Sequence, residues 1–290
     1  MIDTIIFIFC FVDDFCKLYE DALKKFALLS GKRLRKPTRV PCLTMAEIIT
    51  ILLVFQRSKM RDLKTFYRYF KESYIDLFPN LTTYERFNEL QKRAFPVLSA
   101  LLNSMFCKTA TEGYIDSTKI DVCHIKRGFR NKVFTENATF GYSSMGKFFG
   151  FKLHLVIDLN GNIINASITP ANVDDRGPVE SLLKQFKGTI FGDKGYISKK
   201  LFQNLLKNEV KLITRIKKNM QNQMMILREK ILLKKRSLIE SVFNILKNEL
   251  GLIHSRHRSI INFMVHILTV LITYQMSDKK PHISEEYLIV

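Results

Sequence analysis

The chain has 290 residues, and 47% of them are apolar, which is enough for a sizeable core and too many for a disordered tail. Lys and Arg number 46 against 27 Asp and Glu, a formal charge of +19, so the expected partner is a polyanion. A bilayer span is excluded by pattern. The run Thr4–Val12 stops at Asp13 and Asp14, and "IINFMVHILTVLITYQM" (260–276) is broken by Asn262, His266, Thr273 and Gln275, so it reads as a buried core helix. Asp3 stands where a signal peptide carries a base. The cysteines, Cys10, Cys16, Cys42, Cys107 and Cys123, form no CxxC pair and read as reduced core thiols.

In chain order, residues 1–108 read as mostly helical. "LTMAEIITILLVFQ" sets Thr44 and Glu47 at capping-box spacing before an apolar run, and "LTTYERFNELQKR" repeats the device with Thr82 and Glu85. Between them "RSKMRDLKTFYRYFKESY" alternates bases with aromatics. That pattern suits phosphate pairing and base stacking, and equally an amphipathic helix with a solvated basic face. Near Glu112 the texture changes. "YIDSTKIDV" reads as a strand, and the basic stretch "IKRGFRNKVFTENATFGYSSMGK" as a loop. "FFGFKLHLVIDLNGNIINASITPAN" reads as two strands joined at Asn160-Gly161. A helix follows at "VDDRGPVESLLKQF", with Asp174 or Asp175 as its N-cap. Then come a strand in "GTIFGDKGYIS", a helix in "KKLFQNLLKNEV", a strand in "KLITRIKK" and one long helix through "LLKKRSLIESVFNILKNEL". Three strands followed by alternation predict an α/β fold with a mixed five-stranded sheet flanked by helices.

Three carboxylates fall where this order can bring them together: Asp116 in the first strand, Asp193 at the end of the fourth, and Glu240 on the last long helix. Neighbouring first and fourth strands would set the aspartates side by side, and a helix on that face would supply the glutamate. Acids beside apolar strand residues need a compensating charge, and a divalent metal supplies one. Mg²⁺ or Mn²⁺ takes oxygen ligands, and two such ions suit phosphodiester chemistry. Gly192 and Gly195 would let a nucleic-acid backbone approach. On the helix, Arg236, Glu240, Asn244 and Lys247 share a stripe. Glu229 is the rival third acid at a shorter spacing from Asp193, but it has no neighbours at the spacing of Arg236 and Lys247, and the stretch "ILREKILLKKR" around it is more basic and lacks the apolar stripe that docks Glu240.

These stretches resemble the DDE transposases of bacterial insertion sequences, and the nearest likeness is to the insertion-sequence family numbered 982. The resemblance is carried by "YIDST", "FFGFKLHLVID", "TPANVDDR", "FGDKGY", "KRSLIESVFNILKN" and "HSRHRS". Arg236, Glu240 and Lys247 fit the helix signature of that group, while Leu233 stands in place of its tyrosine. The resemblance implies an RNase-H-like catalytic region at 109–276 that includes the C-terminal helix. It also implies a helical DNA-binding region at 1–108 and a tail at 277–290. It further implies Asp116, Asp193 and Glu240 as catalytic metal ligands, and cleavage of element ends followed by transfer of the 3′-hydroxyls into target DNA. Lys194, Arg236, Lys247, Arg256 and Arg258 become candidate phosphate contacts. The implied partners are terminal inverted repeats, target DNA and at least one further copy of the chain, in the bacterial cytoplasm. A nuclease or resolvase without strand transfer, and an inactive DNA-binding remnant, are the alternative readings.

Overall fold

The computed structural model describes residues 2–30, 41–143, 146–215, 225–253 and 257–284. The chain divides into two compact units, Met1–Met105 with Arg258–Met276, and Phe106–His257 with Ser277–Val290.

The first unit is helical: α1 (Ile2–Leu29), α2 (Met45–Arg57), α3 (Leu63–Ser73), α4 (Tyr84–Leu90) and α5 (Phe95–Ser104), with α10 (Ile260–Gln275) added from the far end of the chain. The Thr44 capping box forms as expected. Glu47 N–H donates to Thr44 Oγ1 at 3.2 Å, and Thr44 N–H donates to Glu47 Oε2 at 2.6 Å. The second capping device is shifted by one residue. Thr83, not Thr82, caps α4 by accepting from Arg86 N–H, and Glu85 faces Lys64 instead. α3 takes the amphipathic form. Its Phe66, Tyr67 and Phe70 are buried against Phe55, Phe87 and Phe78, so those rings are closed to stacking. Arg61, Lys64, Arg68 and Lys71 face solvent. α10 is the core helix its composition predicts. It packs on α2 and α5 within this unit, rather than closing a 109–276 region. Its buried His266 and Thr269 both meet Gln56 of α2, at 3.1 Å each. No described helix is long and apolar enough to cross a membrane. Of the cysteines only Cys16 is buried, and its surroundings push the thiol up to about 11, mainly by desolvation and then by Asp13.

The second unit is a mixed sheet with helices on it. Its strands are β1 (Glu112–Asp121), β2 (Thr139–Ser143), β3 (Gly146–Asp158), β4 (Ile163–Pro170), β5 (Gly188–Gly192) and β6 (Val210–Thr214). The order is β2-β3-β1-β5-β6, and β4 also pairs with β3. This makes six strands where five were expected. The extra strand is β2, inside the stretch that reads as a loop: its alternation is short, and it is held by pairing with β3. The turn after β3 forms where Asn160-Gly161 predicts it, with Gly161 at φ 74° and Asp158 accepting from the backbone of Asn160 and Asn162. The helices are α6 (Val179–Leu182), α7 (Lys199–Lys207), α8 (Leu227–Lys234) and α9 (Ser237–Asn244). α6 is a single turn, and Asp174 and Asp175 do not cap it. Asp174 pairs with Arg176, and Asp175 with Lys152. Residues 216–218 of "KLITRIKK" lie outside the described residues. The predicted long helix is broken at Lys235-Arg236 into α8 and α9, and a π-turn at Ile245–Glu249 follows.

β3 is the spine of the sheet, flanked by β1 on one side and by β2 and β4 on the other. At Gly150, which pairs with Asp121 and Thr139, a Cβ would sit 2.1 Å from Ile120 O. Backbone cannot yield as a side chain can, so Gly150→Ala should lower stability by about 1–3 kcal/mol. The urea midpoint of unfolding measures this, and an unchanged midpoint would show that the strand spacing yields more readily than the close approach implies.

Candidate active site

β1 and β5 run parallel, with Tyr114 opposite Phe191 and their rings 5.7 Å apart. Two residues further along each strand stand Asp116 and Asp193. Side chains alternate along a strand, so both acids lie on the face that carries Tyr114 and Phe191. β1 and β5, the first and fourth strands expected from the sequence, are neighbours, which is the condition under which the two aspartates stand side by side. Ile115 and Ile190 point the other way, into the cluster with α6 and α7. The helices that reach the acids therefore come from the opposite side. Tyr114 fixes them by donating its hydroxyl to Leu232 O of α8 at 2.8 Å.

Asp193 starts a 3-10 turn, Lys194–Tyr196, just past β5. Tyr196 is buried under this turn, and desolvation, then the charge of Asp116, keeps its phenol protonated. A Cβ on Gly192 would lie 3.2 Å from the Tyr196 ring and 3.3 Å from Ile115, so this glycine serves internal packing rather than an approaching backbone. Gly195 is the open one: a Cβ there would meet nothing within 4 Å.

The break before α9 places Arg236 between two of the acids. Its Nη1 donates to Asp116 Oδ2 at 2.7 Å, and its Nη2 to Glu240 Oε1 at 2.6 Å. Ser117 N–H donates to the other oxygen of Asp116 at 2.8 Å. Burial still pushes the Asp116 carboxyl above its ordinary value, and Asp193 adds to the rise. The Ser117 amide and Arg236 only partly offset them. Asp116 is thus in electrostatic contact with Asp193 and shares a guanidinium with Glu240. Glu229 is elsewhere, bound to Lys211 of β6.

The predicted cations divide. Lys194 is exposed beside Asp193, and Arg236 lies within the acid group. Lys247 sits within the π-turn, half-buried, where desolvation and then Lys119 lower its ordinary value while Asp121 raises it. Arg258 is exposed in the first unit, and Arg256 lies outside the described residues. Residue pattern does not reveal the scaffolding tyrosines, Tyr114 and Tyr196. The one signal for Tyr114 is its position two residues before Asp116.

The family model described as a transposase DDE domain matches residues 107–260, more than half of the chain. The chain belongs to the transposase DDE domain family. Among solved structures it is similar to the piggyBac transposase synaptic complex with hairpin DNA, at 14% identity and a TM-score of 0.38. That match covers 70% of this chain and 48% of the other, so the chain spans about half the length of that transposase. No curated protein matches.

In this DDE domain, as the side chains stand, no group of three or more His, Cys, Asp or Glu among the described residues is arranged to hold a metal ion. The donor set nevertheless fits a hard divalent ion, because all three acids offer only oxygen. The raised Asp116 also marks a place where one guanidinium under-compensates the charge. The cation between Asp116 and Glu240 is Arg236 itself.

His154, paired with Ser117 on β3, points to the sheet face opposite the acids and is structural. It is 1% exposed, and its Nε2 is 2.8 Å from Thr169 Oγ1. Desolvation lowers it to about 4. The unfolded chain takes up this proton near pH 6.5, before the folded one does. Stability should therefore be lost as pH falls from about 6.5 toward 4. Urea unfolding at pH 7.5, 6 and 5 should show this slope, and His154→Leu should flatten it. An equal slope in the variant would place the titration elsewhere.

Proposed function

We propose that this chain is the DNA transposase of a bacterial insertion sequence, of the family numbered 982, with an RNase-H-like catalytic region. On this reading it cleaves the ends of its element and transfers the 3′-hydroxyls into target DNA. The observation that supports the proposal is Arg236 bridging Asp116 and Glu240, with Asp193 just past the neighbouring parallel strand, inside a transposase DDE domain.

Asp116, Asp193 and Glu240 would hold the divalent ions, Mg²⁺ or Mn²⁺, most naturally two. Bound ions would activate the attacking oxygen and stabilise the leaving one. The chain's own groups do the rest. Ser117 N–H orients Asp116, and Tyr114 anchors α8 so that α9 meets the acids. Arg236 holds Asp116 and Glu240, and with a divalent ion in its place it would be free to meet a phosphate. Lys194 and Gly195 offer a charged, open approach next to Asp193. Lys247, Arg256 and Arg258 add phosphate contacts, and the +19 charge draws the duplex in. Terminal repeats, target DNA and a second copy of the chain in the bacterial cytoplasm complete the reading.

End cleavage of a labelled terminal-repeat duplex with Mg²⁺ tests it. Asp116→Asn, Asp193→Asn and Glu240→Gln should each reduce cleavage by roughly 10²-fold or more. Glu229→Gln should cut nearly as the parent does, because that acid serves Lys211. A dead Glu229→Gln beside an active Glu240→Gln would reassign the third ligand. Hydrolysis without joined products would leave a nuclease.

A further inference from the structure

The stretch that reads as a loop folds into a 3-10 helix, Ile125–Arg130, lying on β2 and β3. Its Phe129 is 82% exposed, the most open aromatic ring among the described residues. The ring is nevertheless supported. It lies 4.5 Å from Phe140, at 35° between planes, and Phe140 lies 4.9 Å from Phe149 beneath it. Lys147 Nζ stands 4.8 Å from the Phe140 centroid and 6.0 Å from that of Phe129. Gly128 makes the close seating possible, since a Cβ there would meet the Phe140 ring at 2.6 Å. The stack therefore has a packed base and a free top.

Its surroundings name the ligand. Lys126, Arg127 and Arg130 are exposed on the same 3-10 helix, Lys132 is exposed just after it, Lys147 is exposed against the rings, and between residues 124 and 147 the single acid is Glu136. A protein partner would need acids or an apolar patch to match. A nucleic acid brings phosphates for the cations and a flat face for the ring. Bases inside a duplex are already stacked on each other, so a ring of this kind takes a base that has left its pair.

The register ties this platform to the acids. Asp116 pairs with Leu155 on β3, and Phe149 pairs with Phe140 on β2. Residues 155, 149 and 147 alternate onto the same side, so Phe140, Phe149 and Lys147 occupy the sheet face that carries Asp116. Lys147 is eight residues from Leu155 along β3, roughly 26 Å at strand rise.

We propose that Phe129, on its Phe140–Phe149 base and among these cations, is a stacking platform for an unpaired DNA base, on the same sheet face as the acids and roughly 26 Å along β3 from Leu155, the partner of Asp116. This rests on the transposase reading for its biological setting, but its test does not use cleavage.

The probe is a single-stranded oligonucleotide carrying one 2-aminopurine, titrated with the full-length chain at fixed salt. Binding should quench the fluorophore. Phe129→Ala should abolish the quench and weaken binding by about 5- to 100-fold, the worth of one stacked base. Phe129→Trp should keep both. The thermal midpoint of each variant should match the parent, since the ring is exposed. Affinity for the fully paired duplex should change little. The platform is overturned by any of four results: no quench with the parent chain, parent-like binding by Phe129→Ala, equal losses in the Ala and Trp variants, or an equal loss on duplex. Failure of the acid variants to lose cleavage would sink the transposase reading while leaving this measurement intact.

Discussion

The candidate site depends on one contact, the Arg236 guanidinium shared between Asp116 and Glu240. Asp193 raises the cost of a charge on Asp116, and burial raises it further. A guanidinium answers this with a rigid fork that serves two carboxylates at once. It is a positioning device as much as a counter-charge, for it pins the first turn of α9 to β1. It is also the group that a bound divalent ion would have to displace or outbid. In its present arrangement the domain is closed around its own cation.

The contact in turn depends on the sheet. Parallel pairing of β1 with β5 sets Tyr114 beside Phe191, and period-two alternation carries the same face on to Asp116 and Asp193. A slip of one residue in that register would turn one aspartate into the apolar cluster around Ile115 and Ile190. The hydrophobic alternation that builds the core is thus the same constraint that aims the acids. Tyr114 joins the two by reaching from β1 to the carbonyl of Leu232 and fixing where α8 ends.

Charge is spread unevenly over this frame. In the helical unit Phe66, Tyr67 and Phe70 of α3 are taken up by the core, which leaves Tyr69 as its one exposed ring, 41% open, among the surface bases. In the sheet unit an open ring stands among exposed cations at Phe129. Composition predicts the polyanion, while packing decides which aromatics remain available to it.

Much was legible from residue pattern. The alternation of strands and helices, the Asn160-Gly161 turn, the Thr44 capping box and the buried character of 260–276 follow from local chemistry, which acts within a few residues. Apolar periodicity showed which face each acid-bearing strand presents, but that β1 and β5 pair is decided by the folded sheet. Other features belong to tertiary structure alone. β2 exists because β3 offers it an edge, and α10 joins the first unit because α2 and α5 present it an apolar surface and Gln56. The long helix breaks at Lys235-Arg236, and Arg236 spans two acids that lie far apart from each other in sequence. Local propensity cannot see a partner that lies a hundred residues away, and only the folded chain brings the guanidinium, the strand acid and the helix acid together.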